Sequence, residues 1–164
     1  PGALPRAYLV CQAERVTTPN RAARSMRDSK FDPSRQAVII ASDPGAATLP
    51  FLDAPCPDSG TVDVLDRDTP SGNLTVNVRS PSPSLLVIAD AYYPEREAWV
   101  DGVDTEVVPT NLALSGVPLS SGSHRIELRY VPTSLYLGTA ITGFTALLWL
   151  CGYLIVRRTR MRTA

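Results

Sequence analysis

The chain has 164 residues, enough for one ordinary domain and a short extension, and its 16 Lys and Arg balance 16 Asp and Glu. The balance hides a segregation. Every acid lies before Leu135 beside only twelve bases, whereas Arg157, Arg158, Arg160 and Arg162 crowd the last eight residues. An acidic body lacks the basic face that a phosphate backbone requires, which excludes nucleic acid as a partner.

In chain order, "RAYLVCQAERV" (6–16) reads as a strand. "TTPNRAARSMRDSKFDP" then predicts a short helix with Thr18 as N-cap and Pro19 in the first turn. Ala22, Ala23 and Met26 form its apolar face, and Asp32-Pro33 ends it. "QAVIIAS" is a short apolar run suited to a buried strand, so residues 1–42 read as a small β-α-β unit. Residues 43–60, rich in Pro and Gly, read as a connecting loop.

From Thr61 the pattern is β. In "NLTVNVR", Leu74, Val76 and Val78 share one face; "SLLVIAD" is continuously apolar; "HRIELRY" turns Ile126, Leu128 and Tyr130 inward. Asp101-Gly102 is a tight hairpin turn between "EAWV" and "VDTEVV", and "SSGSH" marks another. Seven or so such strands predict a β-sandwich.

Leu135 to Val156 is a run of 22 residues without a charge. As a helix it reaches about 33 Å, enough to cross a bilayer. Tyr130 and Tyr136 near one end, and Trp149 and Tyr153 near the other, suit the two interfaces. The arginines that follow predict a cytoplasmic C-terminus and a body on the outer face. "PGALPRAYLV" has no signal-peptide pattern, so an upstream element of a longer protein is expected to deliver the body across the membrane. Of the three cysteines, Cys151 falls in the span; a Cys11–Cys56 bridge is left open.

The predicted class is therefore mainly β: an extracytoplasmic β-sandwich preceded by a small β-α-β segment and followed by one C-terminal transmembrane helix. Its divisions are 1–60 (β-α-β and loop), 61–134 (sandwich), 135–156 (membrane helix) and 157–164 (basic cytoplasmic tail).

"LPRAYLV", "FDPSRQAVI", "LLVIADAYYPEREAWVDG" and "TNLALSGVPLSSGSHRIELRYVPTSLYLG" occur in that order, and with them the chain resembles the C-terminal region of the bacterial YfhO family of polytopic membrane proteins. The resemblance implies a place in the bacterial cytoplasmic membrane. It also implies a glycosyltransferase-like activity that uses a polyprenyl-phosphate-linked sugar to modify cell-envelope polymers. The implied partners are the lipid bilayer, upstream membrane helices of the same protein, and a lipid-linked sugar or envelope glycopolymer. The catalytic acids are expected on loops upstream of these residues, so no catalytic residue, metal or cofactor is assigned here. Where the family has Gly-Trp after "YYP", this chain has Glu95-Arg96, a cation in place of an aromatic.

The candidate binding residues are Trp99, Tyr92, Tyr93 and Arg96. Alternation puts Ala98 and Val100 on one face and Trp99 on the other, where the indole is either a sugar platform or covered by the N-terminal segment. Tyr92 and Tyr93 point to opposite sides, so only one can share the face of Trp99. His124, the one histidine, has no second His or GxSxG beside it, and no Ser-His-Asp site is expected. Asp63, Asp66, Asp68, Asp101 and Asp104 lack the Gly and distal Glu of a calcium loop and read as a solvated edge. Asn73-Leu74-Thr75 matches a glycosylation triplet that is common by chance. A membrane-anchored, non-catalytic binding or structural module is the competing function.

Overall fold

The computed structural model describes residues 3–40, 60–66, 73–131 and 133–162. Apart from Gly60, the predicted loop at 43–60, with Cys56, lies outside them, as does Asp68. The chain divides into two units, Pro1–Tyr130 and Val131–Ala164.

The first unit is two β-sheets. One has six strands in the order β1-β6-β10-β9-β3-β2, and the other has five in the order β4-β5-β11-β7-β8. Their ranges are β1 Ala7–Val10, β2 Gln12–Val16, β3 Gln36–Ile40, β4 Thr61–Asp66, β5 Leu74–Ser80 and β6 Ser84–Ala91. The rest are β7 Arg96–Val100, β8 Val103–Thr105, β9 Val108–Thr110, β10 Leu114–Leu119 and β11 Gly122–Tyr130. The single strand expected over 6–16 is in fact two, broken by a bend at Cys11. Those two strands sit at opposite ends of the six-stranded order with one residue between them, so the sheet must curl until its ends meet. The β-α-β segment thus contributes three strands to a sheet that it shares with β6, β9 and β10.

Curling explains the runs that do not alternate. Along β1 and β6, Ala7, Leu9, Leu86 and Ile88 face the core between the sheets, with Leu74, Val76, Ile126 and Leu128. Their neighbours Tyr8, Val10, Leu85 and Val87 face a second core with Ala37, Ile39 and Val108, inside the curl. Strands buried on both faces have no polar side to show, which is why "AYLV" and "SLLVI" are apolar throughout. Burial pushes the Tyr8 hydroxyl's pKa up, a shift reduced by its hydrogen bond with Asn111.

The helix α1, Pro19–Ser25, begins as expected: the Thr18 side chain accepts a hydrogen bond from the Arg21 amide at 3.3 Å. It ends at Ser25, well before Asp32-Pro33, and packs Ala22 against Val16 and Val38 beside Met26, Phe31 and Ile40. It connects the parallel pair β2 and β3. Asp101 (φ 53°) and Gly102 (φ 82°) make the two-residue turn between β7 and β8, both in the left-handed region that Asp and Gly tolerate.

Tyr130 departs from the inward alternation of β11. It is 43% exposed, its hydroxyl donates to Glu95 Oε2 at 3.0 Å, and its ring meets Tyr93 edge-on with centroids 6.3 Å apart.

The second unit is one helix, α2, Thr133–Arg162. Its segment Thr133–Leu154 is long and apolar enough to cross a membrane. Trp149 and Tyr153 stack with centroids 6.0 Å apart, one turn from each other. Thr139, Thr142 and Thr145 return their hydroxyls to carbonyls one turn back, which satisfies these groups without water.

Candidate functional site

The outer face of the five-stranded sheet carries the candidate with the most usable chemistry. β7 turns Ala98 into the core and Trp99 outward, half-buried, in register with Glu127 of β11 and Asp104 of β8. The Arg129 guanidinium lies 5.1 Å from the indole centroid, a cation–π contact that covers part of the ring. Glu127 accepts from Arg129 at 3.0 Å and pairs with Arg125 at 3.3 Å, so the guanidinium over the ring is held in place. Thr75 and Asn77 of β5 stand next to Glu127 and Arg125 in register. The result is a polar sheet face with one flat aromatic, flanked by groups that can donate and accept hydrogen bonds. That combination suits a sugar, which offers an apolar ring face and a rim of hydroxyls.

The other three sequence candidates do not join Trp99. Tyr92 packs against the core between the sheets, and its amide donates to the Ala113 carbonyl at 2.7 Å. Tyr93 is exposed and pairs with Tyr130. Arg96 is three residues from Trp99, and strand parity sends it to the opposite face. Its side chain is only 10% exposed and lies 3.6 Å from Asp90 Oδ2, which also accepts from Arg6 at 3.1 Å. The Arg96 cation therefore works inside the fold, tying β7 to β6.

Sequence reasoning dismissed one constellation that the fold assembles. His124 Nδ1 is 2.7 Å from Asp101 Oδ2, and its Nε2 is 3.2 Å from both the hydroxyl and the carbonyl oxygen of Ser120. The Arg125 amide donates to Asp101 Oδ1 at 2.8 Å. That amide, then the His124 ring, holds the Asp101 carboxyl below the ordinary carboxylate range. Serine, histidine and aspartate are thus in relay order. The adjoining surface concavity is lined by Asp63, Asn77, Arg79, Asp101, His124 and Arg125, but Ser120 is not part of it. A nucleophile outside the concavity, with its own carbonyl competing for Nε2, makes this a clasp between two turns. The usable signal in the sequence was positional: one histidine after a Gly turn, and an Asp-Gly turn in a neighbouring strand.

Cys11 is disulfide-bonded and Cys151 is free. Among the described residues, no cluster of three or more His, Cys, Asp or Glu is arranged to hold a metal ion.

The family described as bacterial membrane protein YfhO matches residues 63–142, from β4 through the last strand and into α2. Over that span the chain belongs to the YfhO family. A YfhO chain with an apolar helix of this length is a membrane protein. No curated protein and no solved structure matches it.

Proposed function

We propose that this is the outer-face domain and last membrane helix of a polytopic, glycosyltransferase-like YfhO protein. In this reading it holds a sugar-bearing substrate while residues elsewhere in the protein carry out transfer from a polyprenyl-phosphate-linked donor to an envelope polymer. The observation that carries the sugar-holding role is Trp99, a half-exposed indole on a polar sheet face with Arg129 fixed above it. Two features support the outer-face placement. A disulfide at Cys11 suits an oxidising compartment. The arginines after the span suit a cytoplasmic C-terminus.

Tyr130 closes β11 and α2 opens at Thr133. Two intervening residues reach at most about 11 Å across the three peptide links. In this proposal the short link keeps the domain at the bilayer surface, where a lipid-linked sugar presents its headgroup.

Trp99→Ala tests the reading. Because the ring lies on the outer face, its removal should cost about 1 kcal/mol or less, while envelope glycosylation in cells should fall several-fold. Normal glycosylation by a normally folded variant would remove Trp99 from the site. Retained glycan binding by the purified chain, without any transfer defect in cells lacking it, would favour the non-catalytic binding module instead.

A further inference from the structure

The exposed apolar side chains of the first unit are unevenly placed. Its described large apolar residues at the surface are Leu4, Leu65, Tyr93, Val103, Leu112 and Tyr130. Strand directions assign five of these to one end. β11 runs from His124 toward Tyr130, and the antiparallel pairs Tyr130↔Arg96 and Leu128↔Leu74 put the start of β7 and the start of β5 at the Tyr130 end. Leu65 is next to last in β4, which runs toward the same end. Leu4 precedes β1, whose first residue pairs with Ile88 near the end of β6. Leu112 sits in the turn before β10, whose Leu114 pairs with Ala91. Only Val103, beside the Asp101-Gly102 turn, lies at the opposite end. The two ends of β11 are about 26 Å apart at the usual strand rise.

A second observation marks Leu112. It adopts φ 71° after Asn111 at φ 50°, in the left-handed region where a leucine is strained. The turn is clamped there: the Asn111 amide donates to the Val38 carbonyl at 2.9 Å, and Asn111 Oδ1 accepts from the Val38 amide at 2.8 Å. Glycine or asparagine would sit at position 112 without strain, yet the chain holds out an apolar side chain that is 43% exposed.

We propose that Leu4, Leu65, Tyr93, Leu112 and Tyr130 form an apolar collar that enters the headgroup layer of the bilayer. The occupant follows from the chain itself, since this end of β11 leads within three residues into the apolar helix α2. The side chains fit as well: two tyrosines in edge contact present rings with polar tips, the chemistry that concentrates at membrane–water interfaces. Isolated apolar side chains on a soluble face need no explanation; five at one end do. This rests on α2 spanning the bilayer and is independent of the sugar reading.

The test uses the full chain in phosphatidylcholine vesicles, with both native tryptophans replaced (Trp99→Phe, Trp149→Phe) and one new reporter in each sample. Leu112→Trp and Tyr93→Trp report on the collar and Ser121→Trp on the far end. Lipids brominated near the headgroup should quench the first two at least twofold and leave Ser121→Trp unchanged; aqueous iodide should do the reverse. A separate sample keeping Trp149 confirms that α2 is inserted, which separates failure of the collar from failure of the anchor. Collar reporters as open to iodide as Ser121→Trp would overturn the proposal. So would reporters shielded from both quenchers with energy transfer between copies, which would assign the collar to a second chain.

Discussion

The two ends of β11 face different demands with similar backbones. At one end the Asp101-Gly102 turn uses residues that accept a left-handed conformation freely, and Asp101, His124 and Ser120 clasp it to the next turn through polar bonds. At the other end the Asn111–Ala113 turn uses a leucine in that conformation, and tyrosines take the place of serines. The polar end can hold itself together in water with local hydrogen bonds. The apolar end is held from beneath by Asp90 between two arginines and by the clamp of Asn111 on β3, and it leaves its outer side chains uncovered. Residues that stabilise the fold and residues that wait for a partner are therefore adjacent there but distinct.

Three substitutions separate those roles. The largest effect is expected from Asp90→Asn, which leaves the buried Arg96 guanidinium without its counter-charge. We expect a loss of about 1–3 kcal/mol in denaturant titration. An unchanged midpoint would mean that Arg96 is satisfied another way and that the collar does not depend on this tie. Next, Leu112→Gly should relieve the left-handed strain. Offset by the entropy of a new glycine, the gain should be at most about 1 kcal/mol, while quenching of a Tyr93→Trp reporter by brominated lipid declines. A variant that is more stable yet less membrane-associated would show directly that the strain serves docking. A loss of stability instead would show that Leu112 packs within the body.

The smallest effect is at the polar end. The folded-state pKa of Asp101 is depressed, so its contribution to stability is present above the unfolded carboxylate value and is lost as pH falls through the folded one. Asp101→Asn should therefore cost a few tenths of a kcal/mol near neutrality and flatten the acid limb of the stability profile below about pH 4. Asparagine tolerates φ 53° as aspartate does, so the backbone does not confound the comparison. An acid limb identical to that of the parent chain would remove Asp101 from the account.

Much of the fold was legible in the sequence because local rules wrote it. The alternation of Leu74, Val76 and Val78, the Thr18-Pro19 helix start and the Asp-Gly turn all act over a few residues. The uncharged run before the arginines was as plain, because a bilayer demands length and apolarity from contiguous residues. The bend at Cys11 was not legible: a run apolar on both faces looks the same whether one sheet covers it or two. Tyr130 was misplaced because alternation states parity and not where the covering layer stops. Among the candidate binding residues, the outward face of Trp99 followed from parity, but its Arg129 partner lies 30 positions away and only pairing in the sheet brings them together. His124 and Asp101 were seen singly and discounted singly, since their 2.7 Å contact depends on the register of β11 with β7.

The curl of the six-stranded sheet has a kinetic consequence. Its first strand, Ala7–Val10, pairs with Leu85–Ile88, and that strand takes its other neighbour from Ser84↔Leu119 to Ala91↔Leu114. The six-stranded sheet cannot be completed during synthesis until nearly the whole domain has emerged: β2 and β3 can pair early, but β1 waits for β6 and β3 for β9, contacts of long sequence separation that assemble slowly. By then the next segment to appear is the apolar helix. Completion of the fold and entry of α2 into the bilayer therefore fall at almost the same moment in the life of the chain.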